Sequence, residues 1–286
     1  MTHLKIENVN LDIKRNSILK DINLSLEDGK IYGLLGRNGA GKTTLLSLIA
    51  SFRESSAGAV TIDGKVPFEN DEMADEVQFS YEYDYSEFTE TVEEIIGDYA
   101  RYKPNYDMDY SDKLLKGFRI DKKKVIGELS KGQQAAVNAV TGLATGAEIT
   151  IFDEVTSGMD APAREYFYKE VLSMKEHKAG IIILSTHIVS EMDYLFDDVI
   201  IIDQGAVLLH EDIDTLLSKG VRVTGSVERV NAFTKNMTVL ASETLGPTRS
   251  DMVLGTADYD GDDLEFSPIK LQELFIHITE REEDHE

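Results

Sequence analysis

One eight-residue stretch constrains this chain more than any other: Gly36-Arg37-Asn38-Gly39-Ala40-Gly41-Lys42-Thr43. Glycine, four residues, then Gly-Lys-Thr is the pattern of a loop whose backbone N–H groups turn inward around phosphate oxygens. The apolar run Ile31 to Leu35 before it reads as a strand, and Lys42 to Ala50 after it reads as a helix. The loop therefore falls at a strand-to-helix junction, where the helix N-terminus adds a favourable field for an anion. In this arrangement Lys42 neutralises the β- and γ-phosphates and the Thr43 hydroxyl is placed to ligate Mg²⁺, with Thr44 closing the phosphate-binding stretch. The pattern arises by chance in roughly one chain of this length in a hundred. Its strand-loop-helix setting makes a mere glycine-rich turn with a solvated lysine the poorer account.

Such a loop needs a sheet to carry it, and the flanking pattern supplies one. Leu4 to Val9, Ile18 to Leu26, Val60 to Ile62, Ile149 to Phe152, Ile181 to Leu184, Val199 to Ile202 and Ala206 to Leu209 read as further strands. Helices are expected at Ala163 to Lys175 and around Ile188 to Leu195. From about residue 86 to 146 the periodicity turns helical, with Val92, Ile95, Ile96 and Tyr99 on one face, then Leu114, Leu115 and Phe118, then Ala135 to Ala144. This reads as a helical insertion in an α/β core. At Lys219-Gly220 the pattern breaks, and residues 220–286 read as a small α+β appendage after a nucleotide-binding unit at 1–219. Its elements are strands near Val221, Thr238, Met252 and Leu264, a helix from Val227 to Lys235, an acidic loop at Asp258 to Asp263 and a charged tail from Glu280. Ser267 is the expected N-cap of a last helix, with Pro268 at its first position.

Composition excludes several classes. The 286 residues are 42% hydrophobic, enough for one large core or a core plus an appendage, which argues against a disordered chain. Against 29 Lys and Arg stand 53 Asp and Glu, a net charge of −24 that repels nucleic-acid backbones and anionic lipid headgroups. The purely aliphatic runs are too short to cross a bilayer, and the N-terminus has no apolar signal core, so neither membrane insertion nor secretion is expected. There is no cysteine, hence no disulfide and no thiolate chemistry, as suits a reducing cytosol.

Ile149-Thr150-Ile151-Phe152-Asp153-Glu154 is an apolar strand that delivers two carboxylates at its C-terminal end, where ligands gather in open α/β sheets. Asp153 can hold Mg²⁺ through water while Glu154 polarises the attacking water. Leu129-Ser130-Lys131-Gly132-Gln133-Gln134 fits a helix-capping box from Ser130 to Gln133. Together with the phosphate loop and the Asp-Glu strand end, it resembles the signature of ATP-binding cassette (ABC) ATPases, usually Leu-Ser-Gly-Gly-Gln, with Lys131 in place of the first glycine. Ser157-Gly158-Met159-Asp160 is similar to the family's D-loop, and Ser185-Thr186-His187 to its switch histidine segment. Five motifs in order, over residues 4 to about 219, identify the chain as a member at family level.

That resemblance implies a P-loop NTPase cassette that hydrolyses ATP at two composite sites between two cassettes, in a homodimer or a heterodimer. Gly36 to Thr44 would hold ATP phosphates, Thr43 and Asp153 the Mg²⁺, Glu154 the attacking water and His187 the γ-phosphate. Ser130, Gly132 and Gln133 would serve the opposite site. The family's glutamine that contacts Mg²⁺ and water aligns with Glu82, and Gln78 is the rival assignment. The aromatic that stacks on adenine aligns with Ile13, which offers no π-face, so weak base recognition is expected. Phe79, Tyr81, Tyr83, Tyr85 and Phe88 alternate as in a half-buried strand, and in a cassette they would border the groove that receives a membrane subunit.

Tyr102 to Asp107, the Lys131 variant and Ser267 to Phe275 resemble bacterial exporter ATPases with a short C-terminal regulatory domain, among them exporters of antibiotics and antimicrobial peptides. The implied partner is a separately encoded permease, with the chain held at the inner face of the cell membrane. A soluble cassette of translation or DNA repair is opposed by the single cassette, the short spacing from Gly36 to Gly132 and the negative charge. A non-hydrolysing signalling subunit is opposed by Glu154 and His187.

Overall fold

The computed structural model describes residues 2–178, 180–187, 189–255 and 263–280. The acidic loop expected at Asp258 to Asp263 lies outside them except for Asp263, as does the tail beyond Glu280. In chain order the elements are β1 (His3–Ile13), β2 (Asn16–Glu27), β3 (Lys30–Leu35), α1 (Lys42–Ile49), β4 (Ala57–Ile62), β5 (Val77–Tyr81), α2 (Val92–Tyr102), α3 (Met108–Gly117) and α4 (Lys131–Ala144). They continue with β6 (Ile149–Asp153), α5 (Ala161–His177), β7 (Ile181–Thr186), β8 (Asp198–Asp203), β9 (Ala206–Asp212) and α6 (Ile213–Lys219). The last are β10 (Gly220–Ser226), α7 (Val227–Thr234), β11 (Thr238–Leu245), β12 (Thr248–Leu254), β13 (Leu264–Pro268) and α8 (Leu271–Glu280).

The strands form a six-stranded sheet in the order β5-β6-β7-β3-β8-β9 and a three-stranded antiparallel sheet in the order β2-β1-β4. In the larger sheet β5, β6, β7, β3 and β8 run parallel, and β9 closes the edge antiparallel. Every residue of β6, β7 and β8 is buried, as a sheet covered on both faces requires. Side-chain alternation divides the apolar residues between two cores. Ile149, Ile151, Ile181 and Ile183 meet Leu4, Ile6, Leu24 and Leu26 of the small sheet. Phe152, Ile182 and Leu184 meet Val137, Val140, Phe167 and Val171 of α4 and α5 on the other face.

Within the stretch expected to be helical, α2 opens on a capping box from Thr91 to Glu94, and α4 begins at Lys131, ahead of the apolar repeat that signalled it. The helix expected around Ile188 to Leu195 is instead two short 3₁₀ turns, Val189–Glu191 and Asp193–Leu195, with Ile188 outside the described residues. Eleven residues separate β7 from β8, which run parallel on either side of β3. As an α-helix they would rise about 16 Å, short of the roughly 20 Å length of a six-residue strand, whereas 3₁₀ turns rise about 2 Å per residue. Helix α6, capped by Asp212, had no counterpart in the sequence reading.

Past Gly220 a four-stranded antiparallel sheet forms in the order β11-β12-β10-β13. Ser267 and Pro268 do not start the last helix: they pair with Arg222 and Val221 at the end of β13. Because β13 is an edge strand, the missing proline N–H costs no ladder bond. Helix α8 starts at Leu271, and the Lys270 N–H donates to Glu273 Oε2 at 3.3 Å. One small core gathers Val223, Val230, Val253 and Leu264. Met252, Ile269, Leu271, Leu274 and Phe275 instead join the main cluster beside Val189, Met192 and Leu195.

Candidate functional site

The phosphate loop leaves the C-terminal end of β3 and turns into α1. A Cβ on Gly36 would stand 2.6 Å from the Ile202 carbonyl oxygen, and Gly41, the N-cap of α1, adopts a φ of +106°, so glycine is required at both. Lys42 is buried, and its ammonium donates to the Gly36 carbonyl at 2.7 Å and lies 3.6 Å from Glu154 Oε1. Its donors are gathered over the loop, where phosphate oxygens would be met. The Thr43 hydroxyl donates to Asp153 Oδ2 at 2.6 Å.

Asp153 ends β6, and its other oxygen, Oδ1, is buried with no hydrogen-bond partner. A hydroxyl beside a carboxylate with a spare buried lone pair is a hard-oxygen donor set that suits Mg²⁺ with its retained waters. Glu154 follows at a φ of +50°, strained for a residue with a side chain, and its N–H donates to the Ser185 carbonyl at 3.0 Å. His187, one residue beyond β7, places Nδ1 3.2 Å from Glu154 Oε2. Thus Lys42, Glu154 and His187 form one chain of polar contacts at the sheet edge. Ile18, Asn38, Gly39, Gly41, Thr43 and Thr44 line the adjoining depression; Ile18 was not foreseen, because an apolar strand residue gives no sign that it borders a ligand.

Tyr81 pairs with Asp153, so Glu82 emerges beside the carboxylate edge. It lines a 650 Å³ cleft together with Lys131, Gln134, Glu154, Ser157 and Gly158. Gln78 is buried within β5 and donates to Ser80 Oγ at 3.4 Å, away from that cleft. The signature stands apart from the phosphate loop: Ser130, Gly132 and Gln133 do not line the depression over it. Ser130 Oγ accepts from the Gln133 N–H at 3.3 Å, and Gln133 Oε1 accepts from the Ser130 N–H at 3.2 Å, the expected capping box. Gly132 abuts the D-loop-like turn so closely that a Cβ would stand 2.3 Å from the Gly158 carbonyl oxygen. Asp160 caps α5 by accepting from the Ala163 N–H at 2.9 Å.

Ile13 ends β1, exposed at its surface. Tyr32 cannot replace it as a stacking ring: it lies in the core, its hydroxyl is bonded to the Glu27 backbone, and burial pushes its pKa up to about 12. The alternating aromatics are a strand only as far as Tyr81, and the rest form a loop. Their rings touch in sequence, Phe79 to Tyr81 at 4.9 Å and Tyr83 to Tyr85 at 5.1 Å between centroids. Phe52, from a distant turn, joins edge-on to Phe79 at 5.4 Å. The result is an aromatic groove bordered by Ile95 and Tyr99 of α2.

The ABC transporter family model matches residues 19–157. The ABC transporter ATP-binding protein NatA of Bacillus subtilis is 32% identical over 206 residues, covering 69% of this chain and 83% of NatA. The ABC transporter ATP-binding protein YtrB of the same organism is 25% identical over 227 residues, covering 77% of this chain and 75% of YtrB. Among solved structures, an ATP-binding subunit of an ABC transporter superposes with a TM-score of 0.65 at 24% identity, over 74% of this chain and 91% of that one, a likeness of fold.

Proposed function

This chain belongs to the ABC transporter family of ATP-binding proteins, and from that premise we propose that two cassettes, this one and a second copy or a relative, hydrolyse ATP at shared sites to drive a separately encoded permease. The observation that carries the reading is the cluster at the sheet edge, Thr43 on Asp153 and Lys42 with His187 on Glu154, set apart from the self-capped signature at Ser130. Lys42 and the loop N–H groups bind the phosphates of ATP. Thr43, Asp153 and Glu82 would hold Mg²⁺, which when bound neutralises charge on the phosphate oxygens. Glu154 orients the attacking water and takes up its proton, while His187 holds the glutamate and reaches toward the γ-phosphate. Ser130, Gly132 and Gln133 present a helix N-terminus to the nucleotide of the opposite cassette.

The groove of Phe52, Phe79, Tyr81, Tyr83 and Phe88 is our choice for the permease contact, since aromatics anchor interface hot spots. Among the described residues no helix is long and apolar enough to cross a membrane, so attachment at the cytoplasmic face would come through that contact. Export of peptides or antibiotics follows from the likeness of the Lys131 signature and the C-terminal segment to exporter ATPases. A regulatory role for residues 220–286 is supported by the packing of α8 against Val189 and Met192, just after His187. Co-expression with a candidate multi-spanning membrane protein, chosen from the coding neighbourhood if one is encoded there, tests the reading. The pair should co-purify and show Mg²⁺-dependent ATPase in liposomes, and Phe52→Ala with Tyr83→Ala should separate them. A cassette that ignores that protein while hydrolysing ATP at full rate argues for a soluble role.

A further inference from the structure

Beyond the end of β5 at Tyr81, residues Glu82 to Tyr85 form a loop, yet one side chain fastens both its ends. Asn138, two turns into α4 and 6% exposed, donates from Nδ2 to the Tyr81 carbonyl at 3.0 Å. Its Oδ1 accepts from the Tyr85 hydroxyl at 2.5 Å. A carbonyl only accepts, so the first bond fixes the orientation of the amide and the second must run from the tyrosine. Tyr85 is itself buried, and burial raises its pKa, so it remains a donor at any ordinary pH.

Asparagine is a poor residue for a helix interior, and a buried amide is tolerated only when both its ends are bonded. This clasp satisfies both. Between its anchors stand Glu82, Tyr83 and Asp84, and the loop forms a ridge: Tyr83 and Asn138 line both the aromatic groove and the cleft that holds Glu154. No other described residue of α4 bonds to the loop through its side chain among the contacts that fix Tyr81 and Tyr85.

We propose that Asn138 is a positioning residue that holds Glu82 toward the carboxylate end of β6, acting through the loop and not on the nucleotide. The inference rests on the reading of Glu82 as a metal and water contact. It also joins two sites, because the N-terminus of α4 serves the opposite nucleotide while the loop serves its own.

The test combines kinetics of the full chain with hydrogen exchange in the absence of nucleotide. Asn138→Ala should lower kcat about tenfold with KM for ATP nearly unchanged, and Tyr85→Phe, which removes one anchor, should fall in between. In the nucleotide-free protein the amides of Ser86 and Phe88, which donate within the loop to Asp84 Oδ1 and the Tyr85 carbonyl, should exchange at least ~10-fold faster in both variants, while those in the middle of α4 keep their protection. Adding Asn138→Ala to Glu82→Ala should cost nothing further, since the two act through one group. If Glu82→Ala is impaired but Asn138→Ala still multiplies the loss, the positioning role is overturned alone. If Glu82→Ala turns over at the wild-type rate, the reading of Glu82 fails and the proposal with it. Should Asn138→Ala not fold, Tyr85→Phe decides: unchanged loop exchange overturns the clasp.

Discussion

The carboxylate edge of the six-stranded sheet and the N-terminus of α4 are built on opposite plans. At the sheet edge the functional side chains touch one another, Lys42 to Glu154 at 3.6 Å and Glu154 to His187 at 3.2 Å, with Thr43 on Asp153 beside them. At α4 the side chains close on themselves, Ser130 and Gln133 capping each other's backbone. The first turn of α4 holds no acidic residue, and Lys131 adds a cation to the positive end of the helix dipole. A cation there costs about 0.3–1 kcal/mol, a cost reversed when an anion arrives. The groups proposed to react are thus assembled within this chain, whereas the N-terminus of α4, closed by its own capping box, is the end proposed to serve a second cassette.

The largest effect tests the sheet edge. Glu154→Gln should bind ATP as before but lower turnover by at least ~10²-fold, measured as phosphate release beside a nucleotide titration. Lys42→Ala should lose nucleotide affinity instead. If Glu154→Gln turns over normally, the sheet edge is not where water is activated and the contrast collapses.

The comparison between the halves is sharpest in a mixing experiment. Lys42→Ala and Ser130→Arg should each be nearly inactive alone. Mixed in equal amounts, half the dimers are heterodimers in which one site holds both defects and the other none, so activity should return to about a quarter of wild type. No recovery, with crosslinking proving that mixed dimers exist, would mean a site complete within one chain or two sites that must fire together.

Whether the sheet edge is self-contained can be asked from the C-terminal side. Leu274 is fully buried on α8 in the cluster that includes Val189 and Met192, so Leu274→Ala should cost about 2–5 kcal/mol by thermal or denaturant unfolding. We expect ATPase to fall several-fold even at temperatures where the variant stays folded; unchanged turnover would free the His187 segment from α8. The C-terminal sheet also has an acid limit. Burial raises the Asp251 carboxyl, but bonds from Arg249 Nε at 2.7 Å, from Ser242 and from Thr234 at 3.0 Å outweigh it and hold the pKa below the ordinary carboxylate value. A depressed folded pKa stabilises above the unfolded value of about 4 and the gain is lost as pH falls further, so hydrogen exchange should show β12 opening before β6 and β7 in that range.

The smallest expected effect is discrimination of the base. With Ile13 at the aligned position and Tyr32 locked in the core, GTP should support hydrolysis within roughly tenfold of ATP, about 1.4 kcal/mol. A thousandfold preference would mean that an aromatic from the partner completes the phosphate half.

Much of this was legible in one dimension because the signals are local. The turn from β3 into α1 needs glycine where φ is positive, and the spacing to Lys42 and Thr43 follows. Two acids at the end of an apolar run must emerge at the sheet edge, and Ser130 with Gln133 three residues on spells a capped helix. Where the reading failed, a distant neighbour had decided. Val189, Met192 and Leu195 have helical spacing, but the distance back to β8 imposed 3₁₀ turns. Pro268 looks like a helix opener until β10 is laid beside it.

By itself the sequence determined which residues could do chemistry: the phosphate loop, the Asp153-Glu154 strand end, His187 after its strand and the capped signature. Each depends on backbone geometry within a few residues. Only the tertiary structure decided which of them meet. It buried Gln78 and turned Glu82 into the cleft, because β5 ends at Tyr81 and the next residue is free of the strand's alternation. It sealed Tyr32 in the core, brought Phe52 to the aromatic row, and set Asn138 under the loop that carries Glu82. Those contacts join residues dozens of positions apart, and their partners are fixed by how sheets and helices stack, which no local spacing encodes.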